Sequence, residues 1–130
     1  MKKCHILKAS IFFLVKYFVF YLLLMIKNEN TYFLKIGNIK NGVDLFYYLW
    51  LLLSLPLISF LILFVPICFT LKVNRRGVFL FLILLILVAE YLVYTYLASS
   101  SNLMNGVING VVSIIFLLVF FYKDISKKFK

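Results

Sequence analysis

The stretch 78–98, VFLFLILLILVAEYLVYTYLA, is almost pure hydrocarbon yet carries one carboxylate, Glu90. About 21 residues at ~1.5 Å per residue make roughly 31 Å of helix, enough to cross the ~30 Å apolar core of a bilayer. The stretch reads as a membrane span. Glu90 lies about twelve residues in from the basic flank, ~18 Å along the axis, beyond the midplane. No water is assured there, so the carboxylate has to be protonated or neutralised by a partner.

Composition agrees with this reading. The chain has 130 residues, 65% of them hydrophobic and 14% charged, far from the soluble norm. Its net charge of +10 does not point to direct nucleic-acid binding. The basic residues stand in short clusters between apolar runs, where they read as membrane-flanking charge. The start, MKKCHILK followed by an apolar run, mimics a secretory signal. KNENT after Ile26 offers no small-residue cleavage site, so the first span is expected to be kept. Cys4 and Cys68 fall on the side expected to be cytoplasmic and far apart in sequence, so both are expected to be inert thiols.

Four spans are expected, at 9–26, 45–71, 78–98 and 103–122, with an outer loop at 27–44 and an inner loop at 72–77. Together they make one domain over 1–130, an all-α integral membrane protein of two antiparallel hairpins. The first span is interrupted by Lys16. Helical side chains lean toward the N-terminus, which favours return of the ammonium to the headgroups. The other reading pairs Lys16 with Glu90, since spans one and three run the same way and the depth gap is short enough for the two side chains to close.

The loop 27–44 carries turn dipeptides at Gly37-Asn38 and Asn41-Gly42 and hydrophobics at Tyr32, Leu34 and Ile36. A β-hairpin and an irregular loop both fit, with the irregular loop slightly favoured, because a lone ribbon is marginal in water. As the longest exposed segment on its side, it is a contact candidate. In the second span Phe46, Tyr47, Tyr48 and Trp50 look like an interfacial aromatic belt. Pro56 and Pro66 free the carbonyls of Leu52 and Ile62, which Ser59 and Thr70 stand near. They mark either a hinge or, as the favoured reading, a static bend in an overlong helix.

Glu90 and Tyr94 share a face at helical spacing, so a phenol could donate to the carboxylate. Lys16, Glu90 and Tyr94 are therefore the candidate intramembrane polar cluster. SSSN at 99–102 offers a cap for the last span. Gly106 and Gly110 form GxxxG with Ser113 continuing the small face, and Asn105, Asn109 and Ser113 make a polar stripe at four-residue spacing. Asn105, Gly106, Asn109, Gly110 and Ser113 are the candidate helix–helix contact, within the chain or between copies.

Lys2, Lys3, Lys8, Lys72, Arg75, Arg76, Lys123, Lys127, Lys128 and Lys130 fall on one side, against Lys27, Lys35 and Lys40 on the other. Both termini are therefore expected to be cytoplasmic, in a bacterial inner membrane. The tail KDISKKFK is too short to fold alone. With Lys72, Arg75, Arg76, Lys123, Lys127, Lys128 and Lys130 it makes a basic contact region for anionic lipid or an acidic partner.

Catalytic constellations are missing. His5 is the only histidine, and the four acids Glu29, Asp44, Glu90 and Asp124 are scattered. No metal, phosphate-loop or nucleophile–base motif is present, and no cofactor is implied. A serine within a span, such as Ser54 or Ser59, reads as a backbone-bonded hydroxyl. The expectation is a non-enzymatic subunit that lies in the bilayer, self-associates, and anchors or senses for a cytoplasmic or membrane partner protein.

In size and topology the chain resembles immunity proteins against pore-forming colicins and the membrane subunits of two-component anti-phage systems. Those resemblances imply a place in bacterial defence, which the abundance of residues with A/T-rich codons suits. The alternative is a small proton-coupled transporter or ion channel using Glu90. In outline it is similar to small multidrug-resistance transporters, four-span dimers with one essential membrane carboxylate. That family carries its acid in the first span, where this chain has Lys16.

Overall fold

The computed structural model describes residues 6–29, 35–98 and 100–130. Four long helices account for most of them: α1 (Ile6–Lys27), α2 (Gly42–Lys72), α3 (Arg76–Ala98) and α4 (Leu103–Phe129). Each is long and apolar enough to cross a membrane, as fits a multi-pass membrane protein. Around the bundle, α1 packs on α2 and α4, and α3 packs on the same two. Its outer surface is hydrocarbon, with Phe18, Leu61, Val65, Leu84, Leu92 and Leu118 all exposed. The polar residues Lys16, Ser59, Glu90, Asn109 and Ser113 are buried inside it. A bundle that hides its charge and shows its hydrocarbon is matched to lipid as solvent.

Local chemistry explains the helix ends. Asn41 caps α2 by accepting from the amide of Asp44 at 2.8 Å, and Asp44 accepts from the amide of Lys40 at 3.2 Å. This reciprocal arrangement satisfies end-of-helix donors, and Asp44 favours the positive end of the helix dipole. Asn41-Gly42 is thus a helix start and not a hairpin turn. Gly37-Asn38 lies in a single 3-10 turn, Ile36–Asn38. Tyr32 and Leu34 of the same loop lie outside the described residues, as do Lys2, Lys3, Cys4 and His5. At the start of α4, Asn102 occupies the capping position, but its side chain makes no capping bond, contrary to expectation.

α2 runs as one helix through both Pro56 and Pro66. The hydroxyls expected to relieve their freed carbonyls point elsewhere: Thr70 donates to the Pro66 carbonyl at 2.8 Å, and Ser59 pairs with Tyr17. The departure from helical geometry falls instead at Phe121 in α4 (φ −109°, ψ 19°), where no proline stands. Beyond it the basic tail, too short to fold alone, is helical to Phe129 and packs back on the bundle, because neighbouring helices supply partners that an isolated segment lacks. Cys68 is disulfide-bonded and not the free thiol expected from the sequence.

Candidate functional site

The centre of the bundle is an ion pair between Lys16 of α1 and Glu90 of α3, with side chains 0% and 4% exposed. Both faces of the carboxylate are engaged. Oε1 takes the ammonium, and Oε2 accepts from the hydroxyl of Ser113 on α4 at 2.6 Å. The same hydroxyl lies 2.9 Å from the main-chain carbonyl of Asn109. It has one proton, and the shorter, charge-assisted contact to the carboxylate is the stronger. The Lys16 ammonium also sits 4.1 Å from the ring centre of Tyr17. Of the two readings of Lys16, the ammonium is therefore used inside the bundle and does not return to the headgroups. Bridging α1, α3 and α4 with one neutral unit answers the cost of an isolated charge in lipid.

Tyr94 joins the same region by packing: it is buried, and its ring meets that of Phe20 edge-on at 5.1 Å. The hydroxyl on Glu90 Oε2 is that of Ser113. A second polar contact, which sequence reasoning missed, adds α2. The Tyr17 and Ser59 hydroxyls share a hydrogen bond of 2.5 Å, so Ser59 is not the backbone-bonded serine expected. Nothing in the spacing of two residues on different helices announces such a pair.

The contact helix divides in two. Asn105 accepts from the Lys27 ammonium at 2.7 Å, tying the start of α4 to the end of α1. Gly106 is pressed against α3, where a Cβ would lie 2.6 Å from Cε2 of Tyr91. Gly110 faces open space and takes no part in the intrachain contact, so the two glycines do not act as one motif within the chain. Asn109, fully buried, stands beside the Tyr17 hydroxyl, yet among the described residues neither its amide nitrogen nor its carbonyl oxygen completes a hydrogen bond. Thr95 Oγ1, also on this side of the core, is likewise without a partner among the described residues. Unsatisfied buried groups cost on the order of 1–3 kcal/mol each.

The basic residues also separate by role. Lys128 is buried: its ammonium donates to the Val73 carbonyl and lies 5.0 Å from the ring centre of Phe79. Arg76 donates from Nε to the Lys128 carbonyl at 2.7 Å, and Lys8 faces Asp124 at 3.9 Å. Lys72, Arg75, Lys123, Lys127 and Lys130 are exposed around this clamp. Pro56 is buried and Pro66 half-buried in the continuous α2. Among the described residues no group of three His, Cys, Asp or Glu side chains is placed to hold a metal.

No family model matches the chain, and no curated protein or solved structure is similar to it.

Proposed function

We propose that the protein is a non-enzymatic subunit of a bacterial plasma membrane that self-associates and anchors or senses for a partner protein in a defence system. The observation that carries this reading is the Lys16–Glu90–Ser113 unit. Its charges are consumed in joining helices, as in a scaffold whose intramembrane polar groups hold it together. In this reading the helices form two antiparallel hairpins, both termini are cytoplasmic, and the exposed Lys72, Arg75, Lys123, Lys127 and Lys130 meet anionic lipid or an acidic partner. Gly110, unused within the chain, is available for contact with a second copy.

Two experiments test it. Tagged protein recovered in mild detergent should bring the same stoichiometric partner each time; repeated recovery alone would overturn the anchoring role. Reporter fusions to the C-terminus should be active only on the cytoplasmic side. The disulfide at Cys68 belongs more readily to an oxidising compartment, so this sidedness assay bears directly on the proposal.

One observation favours a second reading, a small proton-coupled transporter or channel using Glu90. The unpartnered amide of Asn109 is one turn from Ser113 and thus close to the carboxylate. Glu90→Gln separates the two: loss of flux in liposomes with the oligomer intact would select the transporter.

A further inference from the structure

The buried hydroxyls and amides of the core gather on one side of the Lys16–Glu90 pair. On α4 the buried residues at four-residue spacing run Asn105, Asn109 and Ser113, then Leu117 and Phe121. Along α1 from its Lys27 end the buried residues are Met25, Tyr21, Phe20, Tyr17 and Lys16, then Phe13, Phe12 and Ala9. On α2 Ser59 is followed by Leu63, Ile67 and Thr70, whose hydroxyl is spent on the Pro66 carbonyl. On α3, read from its end, Tyr94 and Glu90 are followed by Ile86 and Phe79. The dividing level is that of the Lys16–Glu90 pair. From there to the Lys8 end the centre is filled by aromatic rings, with Phe12 meeting Phe13, Phe120 and Phe121 at 4.9, 5.9 and 5.8 Å. From there to the Lys27 end the side chains of Tyr17, Ser59, Asn109 and Asn105 bring hydroxyls and amides into the core, beside the ring of Phe20.

Asn109 stands in the middle of this stripe, fully buried beside the Tyr17 hydroxyl, and among the described residues neither its donor nor its acceptor reaches a partner at full hydrogen-bond geometry. A ligand that answers both must accept from Nδ2 and donate to Oδ1. Water does so. A metal cation would be served by Oδ1, but it would face the Nδ2 protons and share the core with the Lys16 ammonium. Asn105, Asn109 and Ser113 follow one another at one turn each, about 12 Å from first to last, and Ser113 ends on Glu90. At the far end of this stripe, Asn105 is bonded to the exposed Lys27.

We infer that water enters the bundle from the Lys27 end, binds at Asn109 and reaches the Lys16–Glu90 pair, while the core on the Lys8 side is dry. Buried water characteristically satisfies polar groups left open by packing, and polar groups within a membrane face a water-filled cavity or one another. The path is one-sided because the stripe continues past Ser113 as Leu117 and Phe121.

The test is solid-state NMR of the full chain in lipid vesicles, reading the transfer of magnetisation from water to assigned side chains. The Asn109 amide and the Lys16 ammonium should build up several-fold faster than the rings of Phe12 and Phe121. Equal, slow build-up at all four would show a dry core, and fast build-up at the rings would show entry from the Lys8 end; either overturns the inference. Asn109→Leu should slow transfer to Lys16 and leave Lys27 unchanged. Unchanged transfer to Lys16 would place the route elsewhere and overturn it. Exchange of sodium for N-methylglucamine should leave the Asn109 resonances in place, and a shift would assign the site to a cation instead. The wild-type comparison stands even if the variant fails to fold. A failed search for a partner protein leaves this result untouched.

Discussion

Arg76 and Lys128 tie the end of α4 to the start of α3 and to the α2–α3 connection before it. The guanidinium Nε donates to the Lys128 carbonyl at 2.7 Å, while the Lys128 ammonium returns to the carbonyl of Val73. The kink at Phe121 turns the last two turns of α4 onto this contact. Replacing Lys128 with Met removes a charged hydrogen bond and the cation–π contact with Phe79, together about 2–4 kcal/mol. Amides 124–129 should then exchange at least about tenfold faster, since ~1.4 kcal/mol is one decade. Exchange in the centres of α1 and α3 should not change. Unaltered exchange in the tail would show that the clamp holds nothing.

The two glycines of α4 should respond differently to the same substitution. Gly106→Ala puts a methyl 2.6 Å from the Tyr91 ring, which is half-buried and has some freedom to turn. A loss of about 1 kcal/mol is expected, at the low end for overpacking, and a larger loss for Gly106→Val. Gly110→Ala meets nothing within 4 Å and should leave monomer stability unchanged or slightly raised. Should Gly110→Leu weaken cross-linking between copies without lowering the stability of the monomer, Gly110 lies in the interface between them. Unfolding in detergent and chemical cross-linking measure the two effects.

Breaking the central pair from one side leaves a charge buried without its partner. Lys16→Met or Glu90→Leu alone should each cost about 3–5 kcal/mol, whereas the double variant, which removes both charges, should recover most of the loss. Ser113→Ala should cost less, about 0.6–1.7 kcal/mol, in line with hydrogen bonds between membrane helices. A double-mutant cycle on unfolding free energies reads all three. Additive losses would mean that the two side chains do not act as one unit.

Pro66 sits in the interior of a continuous helix, where it leaves the Ile62 carbonyl without its helical donor. Pro66→Ala restores that donor at a half-buried site and should raise the unfolding temperature in detergent. Were Pro66 a working hinge, the same change would impair activity while stabilising the fold, so stability and activity should be measured on the same preparation.

Much of this fold is written in local pattern. Runs such as 78–98 are long and apolar enough to form spanning helices whatever surrounds them, and Asn41 with Asp44 caps α2 using neighbours three residues apart. The stripe Asn105, Asn109, Ser113 is legible for the same reason, since helical spacing puts the three on one face. Tertiary structure alone decided what those faces meet. It chose Glu90 over the headgroups for Lys16, gave Ser59 to Tyr17, pressed Gly106 but not Gly110 against α3, and folded the basic tail onto Val73 and Arg76. These outcomes depend on the rotation and depth of one helix against another. A periodicity of 3.6 fixes which residues of a helix share a face, and it carries no information about which face of which neighbour lies opposite.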